Sequence, residues 1–184
     1  FTVKGRNGEY ELYMPLLGDH QLENAASAVA ALEALASQGI AVNAKAMEVG
    51  FEQVSWPCRM EVLSRSPLLV ADGAHNVYSV ESLLKSLPKY LDFEKLILVT
   101  GFSRDKNVEG MAQALREKAD SVFATASRHP RSLAPDEVAR LFDGPVTTAA
   151  TAAEALRLAL YSAGPRDPVA YTPLLSPHTP PLLL

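Results

Sequence analysis

The rhythm of hydrophobic and polar positions changes near residue 57. Before it, Phe1–Lys4 and Tyr10–Tyr13 read as two short strands around Gly5-Arg6-Asn7-Gly8, whose Asn-Gly pair is a hairpin-turn signal. Leu22, Ala25, Ala26, Val29, Leu32 and Leu35 recur at helical spacing and predict a helix over 21–38, with Gly39 placed to end it. Asn43 suits the N-cap of a second helix over 44–54. Ser55-Trp56-Pro57 then interrupts, and a domain boundary is expected near residue 57.

From residue 60 short apolar runs alternate with amphipathic stretches. Strands are predicted over 60–64, 68–71, 95–100, 121–125, 146–148 and from 167 to 171. Helices are predicted over 79–91, 108–119, 135–141 and 152–162. The run Leu96-Ile97-Leu98-Val99 has no polar alternation, the mark of a strand covered on both faces. The expected class is therefore α/β: a Rossmann-like, mostly parallel sheet with helices on both faces. Ligands of such sheets bind at the carboxyl ends of the strands, which directs attention to the loops after Val70, Thr100 and Thr125. Residues 173–184, with four prolines, fit neither helix nor central strand and read as an irregular tail.

Composition narrows the function. A chain of 184 residues that is 48% hydrophobic buries a real core, and no apolar stretch approaches the ~20 residues of a membrane-spanning helix. The net charge of −4 argues against a broad nucleic-acid surface. A lone cysteine, Cys58, excludes an internal disulfide and suits a reducing cytoplasm. The first residue is Phe1 rather than Met, so the chain is expected to start inside a longer gene product or to have been processed. There is no GxxxxGK-S/T phosphate loop, no GxGxxG and no Cys/His set with zinc spacing.

Five segments hold groups suited to small-molecule chemistry. Asp72-Gly73-Ala74-His75-Asn76 follows a strand: Asp72 can accept from a sugar hydroxyl and His75 can meet a carboxylate, while the plainer reading has Asp72 and Asn76 capping the next helix. Asn24, placed in the first turn of its helix, can read a donor and an acceptor on a base edge, or simply fill a polar helix start. Arg59 can clamp a phosphate or carboxylate, or be a solvated linker arginine. Gly101 to Asn107, including Ser103, suits an anionic substrate, and Ser127-Arg128-His129-Pro130-Arg131 is a compact cationic patch; either can equally be a solvated turn. Cys58 has no partner set that marks a nucleophile.

Taken together and in order, LLGDHQLENAASAVAALEAL (16–35), WPCRMEVL (56–63), LLVADGAHNVYSVESLLKSL (68–87), LILVTGFSRDKNVEGM (96–111) and TASRHPRSLAPDEVARL (125–141) resemble the folylpolyglutamate synthase/dihydrofolate synthase family of the Mur ligase superfamily. The resemblance implies the end of a central ATP-binding domain over 1–56 and a Mur-ligase-like C-terminal domain over 57–172. It implies a reaction in which ATP activates a folate or dihydropteroate carboxylate as an acyl phosphate and the amine of L-glutamate attacks it. It assigns Asn24 to the adenine, Arg59 and Asp72 to the phosphates and ribose of ATP, and His75 and Ser103 to glutamate. ATP and Mg2+ are the implied cofactors, with the magnesium ligands and phosphate loop expected upstream. No catalytic or metal-binding residue is assigned within this chain. A monomeric, cytoplasmic enzyme without nucleic-acid or membrane partners is implied.

The family pattern has glycine where Cys58 stands, proline where Val77 stands and aspartate where Asn107 stands. It also expects a TGSLYL-like strand and a final helix after Tyr171. The chain continues TPLLSPHTPPLLL instead, which reads as a frameshifted or rearranged end. The competing readings are a stand-alone Rossmann-like binding module and a Mur-type ligase for another amino acid.

Overall fold

The computed structural model describes residues 1–40 and 42–172; the expectation for the proline-rich tail lies outside the described residues. The chain forms two compact units, Phe1–Trp56 and a second beginning at Pro57.

In the first unit, β1 (Thr2–Lys4) and β2 (Glu9–Glu11) form an antiparallel hairpin with Val3 opposite Tyr10. Helices α1 (Asp19–Ser37) and α2 (Ala44–Glu52) follow. Asn43 caps α2, accepting from the Ala46 amide at 2.8 Å. Val3, Leu12, Val29 and Met47 form the core, with Tyr10, Leu32 and Phe51 against it. The helix α1 starts two residues before its predicted start, because Gly18, at a φ of 108°, turns the chain straight into it. Its buried stripe is Gln21, Ala25, Val29 and Glu33, whereas Leu22, Ala26 and Leu35 are exposed. Both sets recur at helical spacing. The selected stripe contains two polar residues because each finds hydrogen bonds where it is buried.

Glu33 is the clearer case. One carboxylate oxygen accepts from the Arg6 amide and the other from the Asn7 amide, each at 2.8 Å; the second also accepts from the Tyr10 hydroxyl at 3.0 Å. The hairpin turn thus closes on the carboxylate. Gly5 makes room for it: a Cβ at Gly5 would lie 2.2 Å from Glu33 Oε1.

The second unit runs β3 (Glu61–Arg65), β4 (Leu68–Ala71), α3 (Val77–Tyr90), β5 (Ile97–Thr100), α4 (Val108–Arg116), β6 (Ser121–Ala124), α5 (Pro135–Ala139), β7 (Val146–Thr148), α6 (Ala152–Ser162) and β8 (Val169–Thr172). The six strands lie in the order β3-β4-β8-β5-β6-β7, with β3 antiparallel to β4 and every other pairing parallel. The chain advances from β4 through β5 and β6 to β7, then returns to place β8 between β4 and β5. Right-handed crossovers put the helix of a reversed step on the opposite face, so α6 lies across from the helices of the forward steps. On the α6 side, Leu69, Ile97, Val99, Phe123 and Val169 pack with Ala155, Leu156 and Ala159. Alternation turns Val70, Leu98, Val122 and Ala170, all buried, to the other face. The α/β class expected from the sequence is the one found.

Element edges moved where capping decided them. Helix α3 starts at Val77 rather than 79, because the Asn76 side chain accepts from the Ser79 amide at 2.8 Å while the Ser79 hydroxyl accepts from the Asn76 amide at 3.1 Å. Among the described residues, no helix is long and apolar enough to cross a membrane.

The Glu33 latch has a pH signature. The backbone amides of Asn7 and Arg6 hold its carboxyl below the ordinary range. A depressed native pKa contributes stability above the unfolded-state value of about 4.3, which is lost as pH falls through the lower native value. The Arg6 and Asn7 amide resonances should therefore shift together in an acid titration followed by NMR, with a midpoint below that of an exposed glutamate. In Glu33→Gln that titration should vanish.

Candidate functional site

The carboxyl end of β4 is where the second unit gathers its polar groups. The chain leaves Ala71 into Asp72, whose amide donates to the Tyr171 carbonyl of β8 at 3.0 Å. Asp72 is buried, at 7% exposure. One of its carboxylate oxygens accepts from the Met60 amide and the other from the Ala74 amide, both at 2.8 Å. The next amide, of Gly73, donates to the Cys58 carbonyl at 2.7 Å. The Gly73 carbonyl in turn lies 2.8 Å from His75 Nδ1. A carbonyl only accepts, so Nδ1 carries the proton and Nε2 of the neutral ring is the acceptor. His75 is exposed.

The segment ahead of β3 is bent to meet this turn. Cys58 and Met60 both have positive φ, 58° and 47°, a conformation that costs a side-chain-bearing residue about 1–2 kcal/mol. It persists because neighbours determine it from several sides. The Cys58 amide donates to Glu61 Oε2 at 2.9 Å, its carbonyl accepts from Gly73, and the Met60 amide is held by Asp72. The Met60 side chain is fully buried. Arg59 sits between the two left-handed residues, half-buried. Burial pushes the Cys58 thiol up, with the Glu61 and Asp72 carboxylates adding to it against the Arg59 charge. At neutral pH it is a protonated thiol and no nucleophile. Burial also pushes the Tyr171 phenol up to about 12.

A second cluster lies beyond β5 and β6. The loops that follow them are zipped by an antiparallel bridge between Ser103 and Ser132 and by the Arg104 amide donating to the Arg131 carbonyl at 2.8 Å. The Ser103 hydroxyl donates to Asp105 Oδ1, and Arg131 pairs with Asp105 Oδ2 at 2.8 Å. Arg104 pairs with Glu137. The Ser103 hydrogen bond, chiefly, holds Asp105 below the ordinary carboxylate range, and Arg104 does the same for Glu137. Beneath the loops, Thr172 donates to Thr100 at 2.9 Å, both side chains buried. Thr125 Oγ1 is buried with no hydrogen-bond partner among the described residues.

A family profile described as "Mur ligase, glutamate ligase domain" matches residues 58–173. The chain belongs to the Mur ligase family. The dihydrofolate synthase/folylpolyglutamate synthase of Mycobacterium tuberculosis is 35% identical over 134 residues, which are 71% of this chain and 28% of that protein. The structure of Mycobacterium tuberculosis folylpolyglutamate synthase complexed with ADP aligns at a TM-score of 0.84 and 31% identity, over 93% of this chain and 41% of that one. A bifunctional folylpolyglutamate synthase/dihydrofolate synthase solved with Mn, AMPPNP and L-glutamate aligns at a TM-score of 0.76 and 25% identity, over 91% of this chain and 40% of that one. The chain thus spans less than half the length of the relatives it matches, in their C-terminal region.

The residues singled out from the sequence fall into three places, two of them within this Mur ligase domain and one in the first unit. Arg59, Asp72 and His75 belong to one knot of backbone hydrogen bonds. Ser103 follows β5, two strand positions from β4, or about 10 Å on ordinary strand spacing. Asn24 lies in the first unit, exposed, with its amide donating to Gln21 Oε1 at 3.1 Å. Since α1 begins at Asp19, Asn24 is in the second helical turn, not the first. Nor does Asp72 cap α3, as its plainer reading held; Asn76 does so alone, and Asp72 turns inward to Met60 and Ala74. The sequence reading passed over Asp105 and Glu137. Their signal was the pattern of opposite charges in the loop after β5 and in the loop and helix α5 after β6.

The left-handed turn explains why a glycine suits the position of Cys58. Cys58→Gly should be as stable as the parent or gain up to about 1 kcal/mol, and the β-branched Cys58→Val should fall about 1–2 kcal/mol below the glycine variant. Urea denaturation of the three proteins reads the order directly.

Proposed function

We propose that this chain is the C-terminal part of an ATP-dependent ligase that joins L-glutamate to a folate or dihydropteroate carboxylate. The observation that supports it most is the knot after β4, which sets a guanidinium, Arg59, and an imidazole of defined tautomer, His75, on adjoining turns within a glutamate ligase domain. Residues 1–56 are read as the end of the central ATP-binding domain, and 57–172 as the C-terminal domain. The nucleotide is assigned to Asn24, Arg59 and Asp72, and glutamate to His75 and Ser103. The full protein is taken to be a cytoplasmic monomer.

In this reaction the substrate carboxylate attacks the γ-phosphorus of ATP, forming an acyl phosphate and releasing ADP. The glutamate amine then attacks the acyl carbon, loses a proton and expels phosphate, leaving an amide. Arg59 suits the first step, since a guanidinium matches the charge spread over phosphoryl oxygens. The exposed His75 suits the second: as imidazolium it pairs with a glutamate carboxylate, and as the neutral Nδ1–H tautomer its Nε2 accepts from an ammonium. Ser103 is a weaker donor for glutamate, because its proton is given to Asp105. Among the described residues no group of three or more His, Cys, Asp or Glu is arranged to hold a metal ion. The ligands of a divalent cation are read as lying in the part of the ligase upstream of this chain.

The test is ATP- and glutamate-dependent ligation by the complete gene product that contains this segment. Arg59→Ala should lower kcat/KM by about a hundredfold to a thousandfold, the range for removing one preorganised charge-stabilising donor. The 184-residue chain alone should release no ADP, since it contains no phosphate loop. Turnover by the isolated chain, or an unaffected Arg59→Ala enzyme, would overturn the assignment.

A further inference from the structure

We infer that Asp105 and Arg131 form a positioning pair that fixes the Ser103 hydroxyl for glutamate from the neighbouring loop after β6. This rests on the ligase reading above, in which Ser103 meets glutamate, and adds two residues that act on the substrate only through that hydroxyl. One carboxylate joins the two loops. Asp105 Oδ1 accepts from the Ser103 hydroxyl within its own loop, and Oδ2 takes Arg131 Nη1 at 2.8 Å from the loop beyond β6. A serine side chain on a free loop turns among three staggered positions. Here the bond to Asp105 selects one of them, and the Arg131 charge keeps the carboxylate from turning away. The Ser103 hydrogen bond, the Asp105 amide and the Arg131 charge together hold that carboxyl below the ordinary range, as suits a group that works as an anion.

The far end of the pair is well rooted. Residues 127–132 are knit by their own hydrogen bonds. The Ser127 amide donates to Ser132 Oγ at 3.1 Å, the His129 amide to Ser127 Oγ at 3.2 Å and the Arg131 amide to His129 Nδ1 at 3.1 Å. Across to the other loop, the Arg131 carbonyl accepts from the Arg104 amide at 2.8 Å and the Leu133 amide donates to the Phe102 carbonyl at 2.9 Å. Phe102 is buried and stacks on Phe142, with 6.4 Å between ring centroids, so both loops share a fixed base. These cross-loop bonds set the backbones. The direction of the Ser103 side chain is left to Asp105, and that of Asp105 to Arg131. The Arg131 and Asp105 side chains are 60% and 36% exposed, so salt weakens their attraction while leaving the buried base in place.

In the full-length ligase, Arg131→Ala should raise KM for glutamate about threefold to tenfold, the range for one intramolecular hydrogen bond, and leave KM for ATP unchanged. Ser103→Ala should do the same. The two changes together should do no more than Ser103→Ala alone, because Arg131 acts through that hydroxyl. Arg131→Lys, which keeps the charge, should recover most of the loss, and the gap between parent and Arg131→Ala should close as ionic strength rises. Effects of the two alanine substitutions that multiply would make Arg131 a glutamate ligand in its own right. An unchanged KM for glutamate in either single variant would leave the pair without a role, and equal rises for ATP and glutamate would reduce it to a stabilising contact. Each of these three results overturns the inference. A parent enzyme that ligates no glutamate overturns the ligase reading instead. The pair is then decided in the 184-residue chain by NMR, from the titration of the Asp105 carboxyl. Its midpoint should lie below that of an exposed aspartate and move up in both Ser103→Ala and Arg131→Ala. A midpoint that stays in place in either variant overturns the pair.

Discussion

The second unit turns on a buried carboxylate. Taking Asp72 out of water is unfavourable unless its oxygens find donors of good geometry, and here the donors are two backbone amides drawn from either side of a β-hairpin. A charge-assisted hydrogen bond of this kind contributes about 1.5–3 kcal/mol, comparable with the 1–2 kcal/mol that each left-handed residue costs. The burial of Asp72 and the strain at Cys58 and Met60 therefore stand or fall together. Without the carboxylate the turn keeps only its bonds at Cys58, to Glu61 and Gly73, and without the turn the carboxylate loses the Met60 amide. Because Asp72 is also bonded to β8 through its amide, the balance is tied to closure of the sheet, and the strand that closes it is the last one in the described chain.

That dependence on β8 marks the limit of what periodicity can tell. The continuous apolar runs over 68–71 and 96–99 identify strands covered on both faces, and the strand-helix alternation identifies a parallel sheet, because both are local consequences of burial. Strand order is not local. Nothing in the residues Val169–Thr172 distinguishes a strand added at the edge from one inserted between β4 and β5, and only the insertion brings the Tyr171 carbonyl to the Asp72 amide. The same logic applies to α1, where two stripes share the helical period and the buried one is chosen by partners that the sequence places far away. Glu33 is twenty-six residues from the Asn7 amide that completes its hydrogen bonds.

The candidate site was legible as a set of motifs and illegible as a geometry. Spacing located Asp72 and His75 after a strand, and the polar run after Thr100 after another. It could not show that Asp72 points inward, because an aspartate that caps a helix and one that clamps a turn occupy the same sequence context. It could not show positive φ at Cys58 and Met60, since neither residue type prefers it. Where a family resemblance set glycine against Cys58, the contrast held the missing information. A position that favours glycine is a position with a backbone reason, and the reason is the left-handed turn.

Charge patterns mislead for a related reason. Ser127-Arg128-His129-Pro130-Arg131 counts as cationic along the chain, yet in space Arg131 is paired with Asp105 from the preceding βα loop, and Arg104 of that loop is paired with Glu137 of α5. The pairs are at the surface and add little stability individually. Their effect is to join two loops into one layer over the carboxyl ends of β5 and β6, where the Ser103–Ser132 bridge already aligns the backbones. A loop layer held in this way presents its polar groups at fixed positions without a rigid element of its own. The knot after β4 achieves the same end by different means, with buried backbone hydrogen bonds in place of exposed ion pairs. Screening by salt should therefore loosen the loop layer long before it affects the knot, because exposed charges lose most of their attraction within a Debye length and buried hydrogen bonds do not. Of the two clusters, the one around Asp72 is built to keep its geometry as solvent conditions change.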